Sequence, residues 1–157
     1  MEDFNIDNKI FKDIDDLTVR IVISISSLNK ELSSNDIDRI AKWLIIKLIA
    51  LKFMEDKKML ITGLRDIKRF DDINKLFNNA YQYTGSSIFN KDNEIDFEIH
   101  SDIIKVITNK LYEYDFKYFP YDFLGTVYEL FLSKSFENIT KRNIDYEKFN
   151  TNNTIEN

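Results

Sequence analysis

Sharp backbone turns favour glycine and proline, and this chain has three glycines and one proline in 157 residues. That shortage argues against an all-β fold, which needs a turn every ten residues or so. Long helices joined by a few polar loops suit it better. Apolar material is ample, with 43% of residues hydrophobic and 14% aromatic, so a chain of this length can bury a real core. The expected fold is an all-α bundle of about five main helices over residues 1–135. A polar tail over residues 136–157, expected to be partly disordered, follows it.

The hydrophobic spacing places the helices. From Asn8 to Leu32 the residues Ile10, Ile14, Leu17, Ile21, Ile25, Leu28 and Leu32 recur at steps of four and three, a single helical stripe. Thr18 to Ile25 also alternates as a strand would, but the stripe continues on both sides and favours helix. Ser33-Ser34-Asn35-Asp36 has the chemistry of an N-cap with a capping-box acid. Behind it Ile37, Ile40, Ala41, Leu44, Ile45, Leu48 and Leu51 mark a second helix. It is expected to end near Lys57-Lys58, where cations suit the negative end of the helix dipole. Between Trp43 and Phe53 the apolar residues cover more than one face, which predicts a central position in the core.

Asp71-Asp72 is expected to cap a third helix, with Ile73, Leu76, Phe77, Ala80 and Tyr81 facing inward and Gly85 closing it. Ser86 to Glu98 reads as a polar loop with room for short extended pieces. Ser101-Asp102 opens a fourth helix through Ile103, Ile104, Ile107 and Leu111. Pro120 and Asp122 then open a fifth through Phe123, Leu124, Val127, Tyr128, Phe131 and Leu132.

Several chemistries are excluded by composition. Without cysteine there are no disulfides, thiolate metal sites or cysteine nucleophiles. The same absence fits a reducing compartment. Met1-Glu2-Asp3-Phe4 is acidic, whereas a secretory signal starts basic and turns apolar. The apolar run from Trp43 to Phe53 is interrupted by Lys47 and Lys52 and is shorter than the ~20 residues of a membrane span. A cytoplasmic location is therefore expected. The net charge of −5 is the reverse of what a free-standing nucleic-acid binder usually carries.

Three stretches resemble one known family. Lys47-Leu48-Ile49-Ala50-Leu51-Lys52-Phe53-Met54-Glu55-Asp56-Lys57 is similar to a helix ending in a Phe-Leu-Glu-Asp-like element. Ile88-Phe89-Asn90 looks like a short Leu-Phe element after a middle helix. Tyr118-Phe119-Pro120-Tyr121-Asp122-Phe123-Leu124-Gly125-Thr126-Val127-Tyr128-Glu129-Leu130-Phe131-Leu132 is similar to a Leu-Gly-x-x-Tyr-Glu-x-x-Leu helix. Their order and spacing, over roughly residues 36 to 132, resemble the helical segment preceding the catalytic domain of adenine-specific DNA methyltransferases. Those enzymes belong to type I and type IIG restriction–modification systems. The resemblance implies a helical accessory or linker domain that packs on a catalytic domain or subunit and helps to position DNA within a larger complex. No membrane partner is expected, given the short and lysine-interrupted apolar run.

The catalytic signatures of that family are missing. The sole proline, Pro120, follows Phe119, so no Asn-Pro-Pro motif exists, and Gly63, Gly85 and Gly125 are too far apart for a glycine-rich S-adenosylmethionine loop. The chain alone is expected to have no catalytic, cofactor-binding or metal-binding residues and to be no enzyme. The alternative is a self-contained acidic interaction module, a regulator or inhibitor without a DNA role.

Individual residues admit both structural and functional readings. Gly125, inside a predicted helix, is costly there by ~1 kcal/mol relative to alanine, and close helix packing is the expected reason. Tyr128 shares a face with Leu124 and Phe131 and is expected to anchor in the core. Glu129 suits either a solvated face or a polar contact to a catalytic domain. Gly125, Tyr128, Glu129, Phe131 and Leu132 together are the candidate partner-domain interface. Lys57, Lys58, Arg65, Lys68 and Arg69 form the clearest basic cluster and are the candidate DNA-backbone contacts. Glu55, Asp56, Asp66 and Asp71 offset that charge, so an ordinary charged loop is the competing reading.

Three further patterns lack the context their chemistry needs. Glu55-Asp56-Lys57 contains a nuclease-like Glu-x-Lys but ends a helix with no strand before it. His100, the only histidine, has no nucleophile-elbow glycine motif and is expected to be a capping or surface residue. Asp92, Glu94, Asp96 and Glu98 alternate as acids without the glycine and spacing of a calcium loop.

Overall fold

The computed structural model describes residues 2–60, 63–89 and 96–132, with side chains except those of residues 2–8, 87 and 130–132. The polar tail expected over 136–157 and the run 90–94 lie outside these residues. The described residues form an all-α bundle of five helices without a strand. They are α1 (Glu2–Leu28), α2 (Ser34–Asp56), α3 (Phe70–Thr84), α4 (Ser101–Leu111) and α5 (Phe123–Leu132). Short 3-10 turns lie at Leu64–Asp66, Ser87–Phe89 and Phe116–Tyr118.

The stripe Ile10, Ile14, Leu17, Ile21 and Ile25 of α1 is buried, and the β-branched stretch within it is helical. The Thr18 hydroxyl supports that by donating to the Ile14 carbonyl at 2.8 Å, which satisfies a buried polar group inside the helix. The helix stops at Leu28, short of the expected Leu32. Asn29 ends it: its backbone and side-chain N–H groups both donate to the Ile25 carbonyl, at 2.9 and 2.7 Å. Ser33 then caps α2 as expected, its hydroxyl accepting from the Asp36 N–H at 3.1 Å.

α2 is the hub, packed against α1, α3, α5 and two of the 3-10 turns. Every residue from Leu44 to Met54 is buried, including Lys47 and Lys52. Truncating Ile45, Leu48 or Leu51 there to alanine would cost about 2–5 kcal/mol. The C-terminus of α2 is a Schellman arrangement: Met59 N–H bonds the Met54 carbonyl, Lys58 N–H the Glu55 carbonyl, and Lys58 takes φ 59°.

α3 buries Ile73, Phe77 and Ala80, and ends at Gly85 in the left-handed region, φ 64°. Its N-cap is Arg69, not Asp71-Asp72. The two aspartates lie in the first turn, where negative charge favours the helix dipole without capping. The polar loop after α3 contributes Phe89, which is buried beside Phe77 at 6.2 Å between ring centroids. α4 buries Ile104, Ile107, Thr108 and Leu111. α5 begins after the turn at Tyr121-Asp122, with the Asp122 carbonyl accepting the first helical bond from Thr126 N–H at 3.1 Å. Phe123 and Val127 are its buried anchors. No helix among the described residues is long and apolar enough to cross a membrane.

Candidate interaction surface at the α4–α5 connection

Charged residues at the end of α2 fasten the connection between α4 and α5. Lys52 pairs with Asp56 one turn later, and its ammonium donates to the Tyr114 carbonyl at 2.8 Å. Asp56 accepts from the Phe116 N–H at 2.8 Å. Glu55 accepts from the Tyr112 hydroxyl at 2.6 Å. Lys57 donates to the carbonyls of Lys117 and Phe119. The Lys52 ammonium also lies 4.9 Å from the Tyr112 ring and 5.4 Å from the Phe116 ring. A buried charge is tolerated here because a carboxylate, a carbonyl and two aromatic faces replace its water.

On the other side of the connection, the Tyr114 hydroxyl donates to Asp13 of α1, and Lys110 lies 4.0 Å from the same carboxylate and 3.1 Å from Glu113. Phe116 sits at the centre, fully buried, with Phe119 and Phe123 at 5.0 and 5.5 Å between ring centroids. Burial first, and then the bond to Glu55, pushes the Tyr112 phenol well above its ordinary pKa. Burial and the bond to Asp13 do the same to Tyr114. Neither tyrosine suits a proton-transfer role near neutral pH. All three side chains of the Glu55-Asp56-Lys57 tripeptide are engaged in fastening this connection.

The fastened connection holds two aromatic rings in solvent. Tyr118 is 79% exposed and Tyr121 73% exposed, on either side of Phe119-Pro120. Lys117 lies 5.5 Å from the Tyr118 ring centroid and Lys57 lies 4.5 Å from that of Tyr121. α5 continues this surface. Gly125 is exposed, and a Cβ built there meets no neighbouring atom of the described residues within 4 Å, so none of them packs closely enough to require this glycine. Glu129 is exposed as well. Tyr128 is half-buried with its ring 5.9 Å from Trp43, an anchoring role as expected. The side chains of Phe131 and Leu132 lie outside the described residues.

The five candidate DNA-backbone residues do not behave as one patch. The Lys57 ammonium is turned into the connection, and the Arg65 guanidinium stacks 4.8 Å from the Tyr112 ring, which carries it to the same end of the bundle. Lys58, Lys68 and Arg69 are exposed. The elements missed in the sequence are Tyr112, Tyr114 and Phe116. Their spacing of two, with the exposed Glu113 and Asp115 between, is a signal of aromatic rings inward and acids outward, although the backbone there is a turn leading into a 3-10 helix and not a strand.

His100 takes the N-cap position of α4 without a side-chain cap bond. Its Nε2 lies 3.3 Å from the Ser27 hydroxyl, which itself donates to the Ser24 carbonyl at 2.8 Å. Among the described residues no carboxylate engages the other ring nitrogen, so this pair lacks the orienting acid of a triad. No three His, Asp or Glu side chains among the described residues converge as metal ligands. No family model, curated protein or solved structure matches the chain.

Proposed function

We propose that this chain is a non-catalytic helical accessory domain of a restriction–modification adenine DNA methyltransferase, acting in the cytoplasm. It packs on a catalytic domain or subunit and helps to position DNA. The resemblance of residues 118–132 to the helix preceding the catalytic domain motivates the reading. The observation that carries it is the uncovered face of α5 at that place: Gly125 and Glu129 are exposed one turn apart on the helix. An exposed glycine within a helix lets another backbone approach closely.

The test is co-expression with the methyltransferase catalytic subunit of the same source. A stable complex is expected, with adenine methylation that requires both chains and is lost on Gly125→Trp. Two chains that elute separately, or a catalytic subunit equally active alone, would overturn the proposal. The acidic interaction module is the second reading, favoured by the charge of −5. A complex with a protein of another kind, formed without DNA or methyltransferase, would establish it.

A further inference from the structure

We propose that the Tyr118–Tyr121 connection is a stacking platform for the unpaired bases of a single DNA strand, with Lys58 and Lys117 on its phosphates. The inference rests on the DNA-positioning part of the reading above and names the form of DNA and the residues that hold it. Both rings stand in solvent at 79% and 73% exposure, although apolar side chains fill the neighbouring core. Among the described residues Tyr121 meets Phe53 edge-on at 6.3 Å and each ring carries one lysine over a face, contacts that still leave most of both rings in solvent. The backbone beneath them is held at the Phe116 N–H and the Tyr114, Lys117 and Phe119 carbonyls by buried or half-buried charges from α2. A rigidly held aromatic surface loses little conformational freedom on binding.

The local charge favours phosphate. Most carboxylates at this end are already engaged: Asp56 with Lys52 and the Phe116 N–H, Glu55 with Tyr112, Glu113 with Lys110. The Asp115 side chain turns back to accept from the Lys117 N–H at 3.0 Å. Asp122 is the remaining acid of the connection, exposed and next in sequence to Tyr121, whose ring lies beneath the Lys57 ammonium. Lys58 supplies an independent sign. It occupies the left-handed C′ position of α2 at φ 59°, where glycine is the unstrained residue, and it adds an exposed cation next in sequence to Lys57, whose ammonium lies over the Tyr121 ring. Aromatic faces alternating with cations bind single strands with little sequence preference, because every base offers a π-face. A duplex keeps its bases stacked on one another and offers these rings nothing but its backbone.

The experiment is fluorescence anisotropy on the full chain at low salt. The probes are a short single-stranded oligonucleotide of mixed sequence, the duplex of the same sequence, and a glutamate-rich peptide of similar charge. The single strand is expected to bind more tightly than the duplex. Tyr118→Ala with Tyr121→Ala should weaken it by roughly tenfold to a hundredfold. Lys58→Gly should weaken it severalfold and flatten its salt dependence by about one phosphate contact, while the unfolding midpoint stays the same or rises. That opposition separates binding from folding. Three results overturn the proposal: no binding of the single strand, single-strand binding that the tyrosine variant leaves unchanged, or a peptide that binds with the same tyrosine dependence. Co-purification of a methyltransferase subunit is read without any oligonucleotide, so this inference and the proposed function can fail separately.

Discussion

Lys52 and Asp56 pair across one turn of α2, and each also holds the α4–α5 connection, Lys52 at the Tyr114 carbonyl and Asp56 at the Phe116 N–H, both at 2.8 Å. The pair is asymmetric in burial, with the lysine side chain at 3% exposure and the aspartate at 15%. Removing the carboxylate therefore strands the deeper charge. Asp56→Ala is expected to cost about 3–5 kcal/mol, the loss typical of an uncompensated buried ion. Lys52→Met should cost less, because methionine fills the same channel between Tyr112 and Phe116 and leaves no stranded cation. Urea unfolding of the two variants checks the order; the reverse order would mean that the pair acts mainly through the lysine stem.

The same connection gives the fold a dependence on alkaline pH. Tyr112 and Tyr114 hold their protons more strongly in the folded chain than at the ordinary value of about 10, chiefly through burial and then through their bonds to Glu55 and Asp13. Above that value the folded state binds more protons than the unfolded one, so stability is fully present below it and falls as pH rises. Urea midpoints should hold up to about pH 10 and drop progressively as the pH rises above it. Replacing both tyrosines with phenylalanine should lower the midpoint at neutral pH and make the alkaline drop shallower. An equally steep drop in the double variant would assign it to other groups.

The helices were legible in the sequence because each repeats one signal many times. The α1 stripe outweighs its β-branched middle, and the crowded apolar positions of α2 make it central. The connection that forms the candidate surface was less legible, because its order comes from contacts distant in sequence. Nothing local to Lys52 reveals that its ammonium meets the carbonyl of Tyr114. Lys47 and Lys52 read as interruptions of an apolar run, yet both are buried, since a long stem packs like a hydrocarbon once its head finds partners. Gly125 misled in the opposite sense. A helical glycine suggests a close neighbour, and the described residues supply none.

Asn29 is expected to be the residue that holds the segment before α4. It is buried, and its amide exchanges two bonds with the Glu98 backbone, donating to the carbonyl at 2.7 Å and accepting from the N–H at 2.8 Å. It pairs with that residue much as a neighbouring strand would. Asn29→Ala should cost about 1–3 kcal/mol, since the Glu98 groups lose their partners inside a partly buried site. Amide exchange at residues 96–100 should accelerate more than exchange in α2. Uniform acceleration across the chain would mean that Asn29 contributes to global stability alone and does not fix this segment.

Gly125→Ala separates the needs of the folded chain from those of a partner. Glycine in a helix interior is destabilising by about 1 kcal/mol relative to alanine, because it has more backbone freedom to lose. At this position an added methyl group meets no packing neighbour among the described residues within 4 Å, so the gain is not offset there by a clash. The variant should therefore melt higher than the parent in a thermal scan followed by circular dichroism. A residue that weakens its own helix, without packing to excuse it, points to a demand from outside the chain. If a second backbone lies against α5 there, the same methyl group should weaken the complex while strengthening the free domain. A variant that melts lower than the parent would restore close packing as the reason for the glycine and remove this argument for a partner.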